Sequence, residues 1–483
     1  MSGFSECLTQ IKEKRNLNNV EFAEICNLEK TMVFQWMSGK YIPDTWEKLS
    51  GVLGGLGLTN YEYECLKEAY EREKLGDNTY EGIQKMISIM HTLEEKANID
   101  ERGIIPLCYK LTEDNTYIET MELNNYMDVL QCVQNILAAA CFCSGEKKLC
   151  LKADSISEQF LVLLDLFCNS IDGEVEMLVN IEKAENALQN LNLLKNSIDL
   201  LLSEKQISIY NGTFHNKEQV IENWLLSDDS ALLFSEDMSW GLYSRDAEYI
   251  EFLKEKYIAI KGGCKKIFNK SVNLMEDIHR FQGKDITLYC VEYVPCISSG
   301  LTEEILDRYI YDAILEKKHI ISELVNTFAY SDSLHAIYNV FNGKGLYRFL
   351  ESGKFDNFPH DIYDTIAFED RCKIVRNALS GETSNIEMHY FRIRDDAFLN
   401  MEKVYVEYQK GNVNSLRFQI YRNRSIEQQI EVENDYIFEI YEKFFDYLIK
   451  SGYIYSEEET RKWILQVVEE QEWEKEKNNL EKE

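Results

Sequence analysis

Proline is nearly absent from this chain, with 4 in 483 residues. Proline-rich linkers are therefore excluded, and long helices are expected. Histidine is almost as scarce. The seven residues His91, His215, His279, His319, His335, His360 and His389 are scattered, and no two stand four apart, which excludes a zinc-protease helix. His91, His319 and His360 have a carboxylate four residues on (Glu95, Glu323, Asp364), but no third ligand type lies nearby in sequence, so no metal ligand is assigned. The 13 cysteines contain no CxxC pair. Cys141, Cys143 and Cys150 form their densest group, with the first two on an apolar helical pattern, so small buried hydrophobes and free thiols are expected. GxxxxGK[ST], GxGxxG and GxSxG are all missing, so nucleotide-binding loops and nucleophile elbows are not indicated. No catalytic residue and no cofactor is assigned, and the chain reads as a non-enzyme. The apolar runs 127–143 and 160–168 are interrupted by polar residues or are too short to span a bilayer. Met1 leads straight into a helical pattern with no signal peptide, so a cytoplasmic protein without membrane partners is expected.

Acid is what the chain has in excess. It holds 84 Asp+Glu against 52 Lys+Arg, a net charge of −32, which argues against RNA or membrane-surface partners. Apolar content of 45%, with 29 Tyr and 23 Phe, is enough for packed cores, and the length implies two to four domains.

The most informative stretch is Leu17 to Lys40, LNNVEFAEICNLEKTMVFQWMSGK. Phe22-Ala23, Cys26, Leu28, Val33 and Trp36 recur at helical spacing and would form one apolar seam joining two short helices. Asn27 falls at the turn, where a left-handed residue is needed and asparagine tolerates it. Glu29 to Met37 would be the second helix, ended at Gly39. Its outward residues Lys30, Thr31 and Gln35 are of types that meet phosphates or base edges. Phe4 to Lys14, Trp46 to Leu53 and Tyr61 to Glu73 complete a five-helix bundle.

This stretch resembles the helix-turn-helix of the lambda-repressor (Xre) type, over residues 1–76. The resemblance implies double-stranded DNA as partner, with Glu29–Met37 in the major groove. Lys30, Thr31 and Gln35 would lie nearest the bases, with Ser38 and Lys40 on phosphate. Asn19 stands where the family usually has glutamine, Phe34 where it has a small polar residue, and Met37 where glutamate is common. Residues 1–76 hold 9 Lys+Arg against 12 Asp+Glu, a net of −3. Binding therefore needs local clustering, for which Lys12, Lys14, Arg15, Lys30, Lys40 and Lys48 are available within the screening length of roughly 8–10 Å.

Beyond that domain the reading is of shape. A connecting helix is expected over 77–100, with Tyr80 to Ala97 at its centre, and a mainly helical segment over 101–170, with Tyr126 to Asn169 continuing the pattern. An α/β sensing and dimerisation region follows over 171–450. Its expected strands are Val175–Asn180, Ile207–Tyr210, Ala231–Ser235, Trp240–Tyr243, Ile286–Val294, His389–Arg394, Val404–Tyr408 and Leu416–Tyr421. An acidic helical tail closes the chain over 451–483. Glu457 to Glu483 has 10 acids against 5 bases and one apolar stripe, which can pack on another subunit or on its own chain. The expected fold is thus multi-domain, an all-α five-helix domain followed by a larger helical and α/β body.

An internal echo runs through the α/β region. Tyr249-Ile250 followed by Glu255-Lys256-Tyr257 matches Tyr436-Ile437 followed by Glu442-Lys443-Phe444, each opened by an acid, Asp246 and Asp435. Either two amphipathic helices agree by chance or two related halves exist. Two halves would resemble a phospholipase-D-like fold, whose active members carry a His-x-Lys pair in each half. This chain has one, His215-Asn216-Lys217 with Glu222 after it, and the second half has none, so catalysis is not expected. Gly345 to Gly353 with Phe358-Pro359 also resembles a segment of Xre-type regulators from clostridia-like bacteria, which join a small DNA-binding domain to a large sensing region. The expectation is a transcriptional regulator, a homodimer whose body answers to a small-molecule or peptide effector. The alternatives are an interaction or defence component that uses the helix-turn-helix as an adaptor, and a phosphodiesterase using His215 and Lys217 across a dimer.

Overall fold

The computed structural model describes residues 3–97, 120–142, 147–153, 173–179, 206–212, 223–235, 237–270, 285–331, 333–355, 362–394, 401–422 and 425–480, with isolated positions between them. The His215–Lys217 pair, Glu222, Cys143, His279 and Phe358-Pro359 lie outside these residues. The chain divides into two compact units, residues 1–87 with 440–454, and residues 88–439 with 455–483.

The first unit is helical. Its elements are α1 (Gly3–Lys14), α2 (Asn19–Ile25), α3 (Lys30–Met37), α4 (Trp46–Leu53), a single 3-10 turn (Gly54–Leu56) and α5 (Asn60–Leu75). Phe4, Leu8 and Ile11 line one side of α1 at helical spacing and meet Phe22, Val33, Trp36, Leu49, Leu53, Leu66 and Tyr70 in one core. Trp46 packs edge-on against Tyr63 and donates its indole N–H to the Tyr63 hydroxyl at 2.8 Å. The first turns of α6 (Asp77–Ala97) and the later turns of α13 (Asp435–Lys450) also belong to this unit. Tyr447 there donates to Glu71 Oε1 at 2.9 Å, and the Lys67 ammonium lies 4.1 Å from the Tyr453 ring centre.

Among the described residues, the second unit is built on fourteen strands. β1 (Thr120–Leu123) and α7 (Tyr126–Phe142) lead into β2 (Lys147–Ala153), β3 (Gly173–Val179), β4 (Gln206–Asn211), β5 (Asn223–Leu226), β6 (Ala231–Phe234), β7 (Gly241–Ser244) and α8 (Ala247–Lys261). Then come β8 (Lys265–Lys270), β9 (Ile286–Glu292), α9 (Glu303–Tyr309), α10 (Lys317–Phe328), β10 (Leu334–Asn342), α11 (Gly343–Ser352), α12 (Phe368–Ser380) and β11 (Glu387–Ile393). β12 (Val404–Gly411), β13 (Ser415–Arg422), β14 (Ser425–Val432), the first turn of α13, and α14 (Glu457–Leu480) complete it.

The strand order is β1-β7-β6-β5-β2-β3-β4-β8-β14-β13-β12-β9-β10-β11. Shifted by seven, the second half of that series is the first. In each, three parallel strands (β2-β3-β4; β9-β10-β11) are followed by an antiparallel meander (β5-β6-β7; β12-β13-β14). The meander pairs back on the first parallel strand, and a leading strand (β1; β8) closes its far side. Antiparallel pairing of β4 with β8 joins the series. The two echo segments fall on α8 and α13, which follow β7 and β14 and hold the same place in each series. Asp246 caps α8 by accepting from the N–H groups of Glu248 and Tyr249, but Asn434, not Asp435, caps α13.

Several element expectations are corrected. The helical pattern from Tyr126 stops at Phe142, and Lys147–Ala153 is a strand. Leu149 to Ala153 are all buried, so this strand shows none of the alternation that marks a half-exposed one. β5, buried at all four positions, went unread for the same reason. Of the two partners left open for the apolar stripe of α14, its own chain takes Ile464, Val467 and Val468, which are buried in it. Arg461 of α14 donates to the carbonyls of Leu379 and Met388, and Thr460 accepts the Arg392 N–H at 3.0 Å. The edge of β11 is thereby closed by side chains.

Candidate nucleic-acid interface

α2 starts where Asn18 accepts the N–H groups of Val20 and Glu21 at 2.8 and 3.0 Å, while Glu21 accepts the Asn18 N–H at 2.8 Å. This reciprocal cap fixes the helix start. Asn27 takes the left-handed conformation expected of it, with φ of 51°. Leu28 N–H then reaches back to the Ala23 carbonyl at 2.8 Å, so the chain reverses between α2 and α3 within a few residues. α3 ends as the glycine implies: Gly39 has φ of 68°, and Lys40 N–H bonds the Gln35 carbonyl at 3.0 Å.

α3 has two unlike sides. Val33, Trp36 and Met37 are buried. Lys30, Thr31, Gln35, Ser38 and Lys40 are all exposed, and Thr31, Gln35 and Ser38 follow one another at i, i+4 and i+7 along one stripe. Phe34, next to that stripe, is 61% exposed. The Ser38 hydroxyl donates to the Gln35 carbonyl at 3.1 Å, so it faces the helix end as well as solvent. Met37, where glutamate was the family habit, is a core residue whose carbonyl accepts the Ser5 hydroxyl at 2.6 Å.

The six-cation face read from the sequence splits in two. Lys14 and Arg15 are drawn away by Glu62, at 2.8 Å each, and Arg15 also donates to the Leu56 and Gly57 carbonyls. Lys12 donates to Asn19 Oδ1 at 2.8 Å. Lys30, Lys40 and Lys48 remain exposed, with no ion-pair partner among the described residues. Glu62 is the residue that sequence reasoning missed, although Thr59-x-x-Glu62 spells a capping box. Its carboxylate caps α5 at the Thr59 N–H at 3.0 Å. Hydrogen bonds from Arg15 and Lys14 hold it well below the usual carboxylate range.

Other chemistry-bearing side chains are placed structurally. Burial pushes the thiols of Cys26 and Cys372 up to about 11 and those of Cys132 and Cys150 up to about 12. His360 contacts the Phe355 carbonyl at 2.9 Å. His389 stacks on Tyr338 with ring centres 4.3 Å apart, and its Nδ1 lies 3.1 Å from Glu457. No helix among the described residues is long and apolar enough to cross a membrane.

No protein-family profile matches the chain, and no curated protein sequence matches it. Among solved structures, polyphosphate kinase from Porphyromonas gingivalis aligns with 68% of this chain at 12% identity and a TM-score of 0.23. This chain covers 49% of that kinase, about half its length. TrmBL2, an archaeal chromatin protein, aligns with 43% of this chain and 71% of its own at 12% identity, TM-score 0.22. NucT from Helicobacter pylori aligns with 30% and 98%, at 13% identity and 0.23. Overlap this low transfers neither a fold nor an activity.

Proposed function

We propose that this protein is a sequence-specific DNA-binding transcriptional regulator whose α2–turn–α3 segment acts as a helix-turn-helix of the Xre type. The observation that carries the reading is the division of α3. One side is committed to the core, while Lys30, Thr31, Gln35 and Lys40 stand exposed and Lys30 and Lys40 have no carboxylate partner among the described residues. In this reading α3 enters the major groove, Lys30, Thr31 and Gln35 meet base edges, and Ser38 and Lys40 meet phosphate. The α/β body acts by binding, not catalysis. It pairs two chains so that their reading helices stand about 34 Å apart on a two-fold operator, and an effector in the body changes that spacing.

Mapping of bound genomic sites in the native host tests this reading. Discrete sites should be recovered with the wild-type chain and lost with Lys30→Ala combined with Gln35→Ala, in a protein of unchanged circular dichroism. An identical map from the double variant would remove α3 from the interface.

A further inference from the structure

We propose that the body also holds a binding site for a small phosphate-bearing ligand, formed by Arg392 and Arg394 at the carboxyl end of β11. The Arg392 guanidinium lies 4.1 Å from the Tyr455 ring centre and 4.2 Å from that of Trp463. The Arg394 guanidinium lies 4.3 Å from Tyr455. Aromatic faces hold a guanidinium's plane and leave its N–H edge to meet an oxyanion. The Nε atoms of both arginines are closed to solvent and have no acceptor among the described residues, although most buried donors in folded proteins are paired. Both side chains are nevertheless only half-buried, so the outer N–H edge of each guanidinium is what a ligand oxygen would meet.

Charge supports the assignment. In a chain of net charge −32, neither arginine forms an ion pair among the described residues. Neighbouring Arg461, by contrast, is consumed by Glu457 and by the Leu379 and Met388 carbonyls. Among the described residues, the carboxylate that feels both arginines is Glu459, which is held by the Ser456 hydroxyl and N–H at 2.6 and 2.9 Å. Among the described residues, two cations thus share the field of a carboxylate that is already engaged.

The backbone completes the site. β10 passes into α11 at Gly343, where a Cβ would lie 3.1 Å from the Trp463 ring and 3.2 Å from Arg392 Cδ. Glycine lets the first turn of α11 close on the stacked arginine, and the exposed Lys344 follows it. Two guanidiniums on one aromatic ring suit a tetrahedral dianion with several acceptor oxygens, which is phosphate chemistry. Because Thr460 and Trp463 belong to α14, occupancy would reach the helix that closes the β11 edge.

This proposal does not rest on the DNA-binding reading and is tested without DNA. Inorganic phosphate and glycerol phosphate are titrated into the full-length protein at constant ionic strength, with calorimetry and phosphorus NMR as readouts. Saturable binding is expected, weakened at least about tenfold by Arg392→Gln with Arg394→Gln, and the tighter of the two probes tells a free ion from an ester. If the double variant fails to fold, Arg394→Gln alone, which leaves the two-ring stack of Arg392 in place, should still weaken binding about threefold or more. No saturable signal with the wild type, or equal affinity in a folded variant, overturns the site.

Discussion

Lys30 and Gln35 owe their exposure to what fills the other side of α3. Val33, Trp36 and Met37 anchor the helix in the core, which fixes the side left facing solvent. Most of this was legible from spacing alone, because a short amphipathic helix leaves few choices. The fate of Lys14 and Arg15 was not legible, since it depends on Glu62, more than forty residues further on. Two predictions belong at this scale. If Lys40 meets phosphate, Lys40→Ala should lower the slope of log affinity against log salt by about one, measured by fluorescence anisotropy, whereas Lys30→Ala, at a base edge, should weaken the selected sequence more than unrelated DNA. Lys14→Ala should leave the slope alone. Glu62 has a folded pKa below its unfolded value, so its stabilisation is complete above the ordinary glutamate range and fades as pH falls through the folded value. Glu62→Gln should therefore lower the melting temperature at neutral pH and narrow its gap to wild type below about pH 4. An unchanged gap across that range would show that the Arg15–Glu62–Lys14 cluster is not the cause.

Among elements, helices were read more securely than strands. α4 was delimited from its apolar spacing to the residue, and α1, α5 and α6 to within a few residues. Six strands escaped: β1, β8 and β14, and with them β2, buried from Leu149 to Ala153, β5, buried at all four positions, and β10 (Leu334–Asn342), whose Val340 and Phe341 are adjacent and both buried. The apolar runs of β2, β5 and β10 carry no period to read. α14 shows a different limit. Its sequence declared a sticky stripe but not its partner, and only the structure places Ile464, Val467 and Val468 within the cluster that includes Ile337 and Met388. Val468→Asp should therefore destabilise the body by several kcal/mol, because an unpaired carboxylate would replace a fully buried side chain. Thermal unfolding would show it, and a melting temperature within a degree or so of wild type would contradict the packing.

On the scale of the whole molecule, the repeated strand order is the largest feature that sequence could only hint at. Two short segments on α8 and α13 were all that linked the two series, because equivalent core positions accept many apolar residues. The repeat itself lies in pairing partners that no local pattern encodes. The other global quantity, a net charge of −32, opposes any approach to DNA. The proposed function therefore stands on local geometry prevailing over a repulsive field, and it makes affinity steeply dependent on having two reading helices engaged at once. The most direct test is methylation interference at guanine N7, a major-groove atom, on DNA selected by the full-length protein. Two interference patches about one helical turn apart are expected, both absent when Lys30→Ala and Gln35→Ala are combined. DNA bound equally well with its major-groove N7 atoms methylated, or no selectable DNA at all, would contradict the proposed function.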